Sequence, residues 1–182
     1  FDPGHSSPYS ASSRLFLNPI YLDVEAIDDF AEIAAADAGF TQRWRAECEK
    51  LRATPFVDYA AVAAAKRTVL DTLYAHFARR HLEPGTARAR LFAQFRASRG
   101  QALRHHALHE ALHEVHGTPW RQWPEELRDP STEAVRRFAR EHGLRVGLHE
   151  YLQWQADLQL ARVEEICGDL GMAVGLYADL AI

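Results

Sequence analysis

Gly171-Met172-Ala173-Val174-Gly175-Leu176-Tyr177-Ala178-Asp179-Leu180-Ala181-Ile182 is the stretch on which the fold turns. It is a mostly apolar run opened by a glycine. Immediately upstream, Leu144, Leu148, Leu152, Ala156, Leu160, Val163, Cys167 and Leu170 recur in one stripe at helical spacing. That stripe predicts a long helix ending at Leu170, with Gly171 as its C-cap. A helix feeding a continuous apolar run reads as a crossover helix followed by a strand buried in a parallel sheet. Such a strand needs neighbours on both sides, and no other segment here is a strong strand candidate. Phe1 in place of Met and the apolar ending Leu180-Ala181-Ile182 give both ends a cut look, so the expectation is a slice of something larger.

Everything before that stripe reads as helix or loop. Phe1 to Arg14 is rich in Ser, Pro and Gly and reads as a loop. Leu15 to Val24 is apolar around Asn18-Pro19, and the proline limits it to two short extended pieces. Helices are expected from Asp28 to Asp37, from an N-cap at Thr41 to Arg52, and from an N-cap at Asp58 to about His81. Further helices should run from an N-cap at Thr86 to Gly100, from Gln101 to His116, and from Ser131 to about His142. Thr54-Pro55, Pro84-Gly85 and Gly117-Thr118-Pro119 punctuate them. Trp120 and Trp123 lie in a loop and should wedge it against the helices.

Composition narrows the class. The chain has 182 residues, 47% of them hydrophobic and 25% charged, with a net charge of −4. This fits a globular protein and excludes a collagen, a disordered acidic tail or a disulfide scaffold. No apolar run is long enough to span a membrane, and the negative balance argues against a dedicated nucleic-acid binder. Cys48 and Cys167 fall in unrelated helical patterns, as expected of reduced thiols in a cytoplasmic protein.

Three local patterns carry chemistry. His109-Glu110-Ala111-Leu112-His113 matches H-E-x-x-H, which on a helix sets two imidazoles on one face with a glutamate able to polarise water. Glu133 or Glu141 could serve as the third zinc ligand. The same residues also read as the polar side of a helix whose core face is Leu103, Ala107, Leu108, Ala111, Leu112 and Val115. Arg88, Arg90, Arg96, Arg99 and Arg104 have no acidic residue between them and read as a solvated basic face, with Leu91, Phe92 and Phe95 as core. Ser6-Ser7-Pro8-Tyr9-Ser10 presents a tyrosine and hydroxyls, which is what stacking on a sugar ring requires.

Ser7-Pro8-Tyr9-Ser10-Ala11-Ser12-Ser13-Arg14-Leu15-Phe16-Leu17-Asn18-Pro19-Ile20-Tyr21-Leu22-Asp23-Val24 resembles the S-P-Y-x-x-S-S-R-x-F-x-N-P-x-Y-I-D stretch of the 4-alpha-glucanotransferases, the amylomaltases of glycoside hydrolase family 77. Glu150-Tyr151-Leu152-Gln153-Trp154-Gln155-Ala156-Asp157-Leu158-Gln159-Leu160 is similar to a later helix of the family, and Gly175-Leu176-Tyr177-Ala178-Asp179-Leu180-Ala181 to the strand that follows it.

The resemblance implies a mainly α-helical piece forming an inner slice of a (β/α)8 TIM barrel, from the loop after the second strand through the third strand. Residues 1–24 would belong to the glucan cleft, 25–143 to a helical insertion, 144–171 to a crossover helix and 172–182 to a barrel strand. The family passes segments of α-1,4-glucans between maltooligosaccharides by a retaining double displacement. Its catalytic carboxylates would fall beyond Ile182, so none is assigned. By the same resemblance Tyr9 and Ser7 would touch substrate, and Asp179 would lie near the cleft floor. No cofactor or metal is implied, and no nucleic-acid or membrane partner. Self-association through an exposed strand at Val174 to Ile182 is a further expectation. The competing readings are a zinc hydrolase built on His109, Glu110 and His113, and a helical interaction module using the arginine stretch.

Overall fold

A computed structural model describes residues 13–117 and 119–176. The described residues are mainly helical, as the periodicity predicts, and contain no strand. Among the described residues six α-helices follow one another: α1 Asp28–Ala36, α2 Ala38–Arg52, α3 Tyr59–Phe77, α4 Ala87–His116, α5 Glu133–Glu141 and α6 Gly143–Asp169.

Local chemistry sets these boundaries. Asp58 and Thr86 cap α3 and α4 as predicted, accepting from the amides of Ala61 and Ala89. α2 is capped by Asp37 rather than Thr41. The Asp37 carboxylate accepts from Gly39 N, so the helix starts earlier and Thr41 falls inside it. Likewise Thr132, not Ser131, caps α5. α3 runs into a π-helical turn, Ala78–Leu82. Gly100 (φ 58°, ψ −141°) divides α4 into two arms, at the break the sequence suggests. Only glycine adopts that backbone without strain.

Leu15 to Val24 does not form the two extended pieces expected of it. Asn18 accepts from Ile20 N at 3.1 Å and caps a 3₁₀ turn, Pro19–Tyr21, so the proline opens a turn instead of interrupting a strand.

Two apolar clusters hold the helices together. The larger joins Ile20, Leu22, Val24 and Ile27 to Phe30 of α1, Leu70 and Phe77 of α3, Phe92 of α4 and Tyr151 and Trp154 of α6. Its centre is aromatic. Phe77 lies 5.6 Å from Phe92, edge to face, 5.5 Å from Trp154 and 5.0 Å from Tyr151. The smaller packs Ala107, Leu108, Ala111 and Leu112 of α4 against Val135 and Phe138 of α5, Val146 of α6 and Trp123. Trp123 wedges its loop as expected, with its indole N–H on Gly117 O, but Trp120 is exposed beneath Arg121. Leu91 and Val115, expected in the core, face outward.

The predicted stripe on α6 holds for only half its length. Leu148, Leu152 and Ala156 are buried, whereas Leu160 and Val163 are exposed and Leu144 and Leu170 are 72% and 74% exposed. Periodicity identifies an apolar face but not whether a partner lies against it. The strand expected over 172–182 begins with irregular backbone at 172–176, and its remainder lies outside the described residues.

Candidate functional site

Ser7, Tyr9 and Asp179 lie outside the described residues. The segment following the Ser-Pro-Tyr motif is described from Ser13, and it is held in an unusual way. Leu17 N donates to Gln153 Oε1 at 3.0 Å while Gln153 Nε2 donates back to Leu17 O at 2.8 Å. Asp23 N donates to Gln159 Oε1 at 2.9 Å, and Gln159 Nε2 donates to Asp23 O at 2.7 Å. A carboxamide carries both a donor and an acceptor, so each glutamine meets a residue's main chain as a neighbouring strand would. Between the two clamps, Lys66 Nζ donates to the carbonyls of Ile20 and Leu22, both at 2.7 Å. Burial pushes the Lys66 ammonium down from its usual value.

One more contact fixes the segment. Phe16 stacks on His106 with ring centroids 4.5 Å apart and planes within 16°. Burial lowers His106 to about 4, so the ring is neutral at pH 7 and serves as an aromatic platform. Gln153 and Gln159 lie in the Glu150–Leu160 stretch that carries the family resemblance, but neither they nor Lys66 and His106 were given a role from the sequence.

The support behind this segment is polar as well as aromatic. Asp29 is fully buried and receives both Arg88 terminal nitrogens, at 2.6 and 3.1 Å, and the Tyr151 hydroxyl at 2.6 Å. This joins α1, α4 and α6 at one carboxylate. Burial, followed by the Asp29 charge, raises the Tyr151 phenol well above its usual value and keeps it a donor. On the other side of α6, Glu114 accepts from Arg145 at 2.6 and 2.8 Å and from Arg67 at 2.7 Å.

The other sequence patterns fare differently. The arginine stretch is exposed at Arg90, Arg96 and Arg99, as expected of a solvated face, but most of its charges are paired. Arg88 binds Asp29, Arg96 and Arg104 reach buried Glu150 at 2.8 and 3.4 Å, and Arg99 pairs with Asp157. These pairs neutralise the surface that an acidic partner would require.

His109 and His113 do share a helix face, with ring centroids 6.3 Å apart. Glu110 is buried, 3.6 Å from His109 Nδ1, and His109 lies 5.2 Å from Trp123. Among the described residues no third His, Cys, Asp or Glu gathers with them. Glu133 is instead committed to Arg136 and Arg140 at 2.9 and 2.8 Å. Hence the zinc-hydrolase reading is not favoured. No helix among the described residues is long and apolar enough to cross a membrane.

Comparison with known proteins gives this geometry its context. The sequence model of a family described as 4-alpha-glucanotransferase matches residues 2–182. A 4-alpha-glucanotransferase of Mycobacterium tuberculosis is 36% identical over 182 residues, covering 99% of this chain and 24% of the relative. One from Haemophilus influenzae is 29% identical, covering 99% of this chain and 27% of its own length. One from Chlamydia caviae is 26% identical, over 90% of this chain and 29% of the relative. The chain thus spans about a quarter of the length of the curated relatives it matches. With the family model covering the chain from residue 2 to residue 182, this chain belongs to the 4-alpha-glucanotransferase family, glycoside hydrolase family 77.

Proposed function

We propose that this chain is part of a 4-alpha-glucanotransferase that moves α-1,4-glucan segments between maltooligosaccharides, and that it builds one wall of the glucan cleft. The observation that carries the reading is the family match over residues 2–182. The glutamine clamps say how the wall would work. They hold the backbone at Leu17 and Asp23, downstream of Tyr9 in the same family stretch, and a rigid support limits the entropy lost when a sugar is held against it. Tyr9 supplies the face on which a glucose ring stacks, Ser7 a hydroxyl to the sugar, and Asp179 a carboxylate near the cleft floor.

The chemistry is a retaining double displacement with a carboxylate nucleophile and a carboxylic acid/base. Both belong to parts of the enzyme outside this chain. In this arrangement 25–143 is a helical insertion, 144–171 a crossover helix and 172–182 a barrel strand. A strand with a free edge also gives a second copy a place to pair.

The test is disproportionation of maltotriose by the full-length protein, followed as glucose release. Transfer with retention of the anomeric configuration is the expected result. Tyr9→Ala should lower transfer by at least about tenfold, the loss of a sugar-stacking contact worth ~1.4 kcal/mol or more. Unchanged kinetics would remove Tyr9 from the cleft. Activity in the 182-residue chain alone would refute the placement of the carboxylates elsewhere.

A further inference from the structure

We propose that Glu32, His76 and His81 form a site for a divalent transition metal of the zinc class, tying α1 to the end of α3. His76 Nε2 lies 2.9 Å from Glu32 Oε2, and His81 Nε2 lies 3.2 Å from both Glu32 oxygens. With metal–ligand bonds of roughly 2.0–2.1 Å, neighbouring ligands of a tetrahedral zinc stand about 3.3 Å apart, so these contacts are close to ligand spacing. Asp29 offers an oxygen within 4.8 Å of the others, but both its oxygens are engaged by Arg88 and Tyr151. The set is therefore two imidazoles and one carboxylate, with a fourth position for water.

The second contact of His81 points the same way. Its Nδ1 lies 3.1 Å from Thr86 Oγ1, while Nε2 faces Glu32. A metal-binding imidazole is held in this manner, with its far nitrogen fixed by a hydrogen bond and its near nitrogen aimed at the ion.

Charge agrees. Arg88 contacts Asp28 (3.7 Å), Asp29 and Glu32, so one cation faces three carboxylates. A divalent ion restores the balance, with Arg88 keeping Asp29 and releasing Glu32. Two nitrogen ligands favour zinc over magnesium or calcium. The His76, His81 and Glu32 side chains are 17%, 11% and 35% exposed, which leaves an entry path. The site stands apart from the His109–His113 pair and does not depend on the glucan reading.

The experiment is zinc titration of the chelator-treated full-length protein against a chromogenic zinc chelator. One equivalent should bind, and His76→Ala and His81→Ala should each weaken it by about 10–100-fold or more, with His113→Ala unchanged. Zinc-edge X-ray absorption of the loaded wild-type protein guards against variants that fail to fold, and should show scattering from two imidazoles. The proposal is overturned by any of four results: no bound zinc, binding undiminished in both histidine variants, loss with His113→Ala, or a shell of oxygens alone.

Discussion

α6 is one helix with two environments. From Val146 to Ala156 it is buried nearly all the way round, including polar His149, Glu150, Gln153 and Gln155. Beyond Asp157, Leu158, Leu160, Val163, Ile166 and Leu170 all face outward. The apolar content of the two halves is similar, so hydrophobicity did not decide which half is covered. Partners did: the first half lies among α3, α4, α5 and the segment 13–24, and the second reaches past them. Most of the buried polar groups of the first half have an answering charge or backbone group, as burial requires, the exception being Gln155, whose Nε2 has no hydrogen-bond partner among the described residues. Glu150 has Arg96 and Arg104, and Gln153 has Leu17.

The contrast breaks most visibly at Trp154. Trp154→Ala removes a ring packed on Phe77, Phe92 and Tyr151 and should cost about 3–5 kcal/mol in the full-length protein, read by denaturant unfolding.

Acid should strike next, through Glu114. Burial acts to raise its carboxyl, but hydrogen bonds from His149 and Arg145 outweigh that and bring it from 4.5 to about 2. Since the folded value is the lower one, the stabilisation is complete above the unfolded value. It is lost as pH falls from about 4.5 through 2. The full loss is on the order of 3 kcal/mol, and Glu114→Gln should flatten this part of the pH–stability profile.

Gly147→Ala comes third. A Cβ there would stand 2.1 Å from the Tyr74 hydroxyl, and the overpacking should cost roughly 1–3 kcal/mol. At the clamps, Gln153→Ala should cost ~1–3 kcal/mol because it strands part-buried main-chain groups of Leu17. Gln159→Ala should cost less, about 0.5–1 kcal/mol, since its contacts are exposed to water. Leu160→Ala should be smallest, within ~0.5 kcal/mol in hydrogen-exchange or unfolding measurements on this chain. A several-fold larger effect in the full-length protein would show that the outer half of α6 is covered there.

The same contrast explains what was legible in the sequence. Asp58 and Thr86 were readable because capping is local, and so was the break at Gly100. The outer half of α6 was misread because an apolar stripe does not report its partner. Gln153 and Gln159 stood in the stretch that resembles the family, but their role as clamps was not legible because they bind main chain 136 residues away, and main chain carries no side-chain pattern. Glu32, His76 and His81 meet across more than 40 residues of sequence with no motif spacing, whereas His109 and His113 have the spacing but gather no third ligand among the described residues.

The clamps also redistribute freedom to vary. Gln153 and Gln159 grip peptide groups, so the side chains of Leu17 and Asp23 stay exposed; that of Leu17 takes no part in holding the segment, and that of Asp23 accepts locally from Glu25 N at 3.1 Å. The loop can exchange residues at those positions, and so retune what it presents, while its path stays fixed. The informational burden of shaping it rests on two amides in a helix more than a hundred residues downstream.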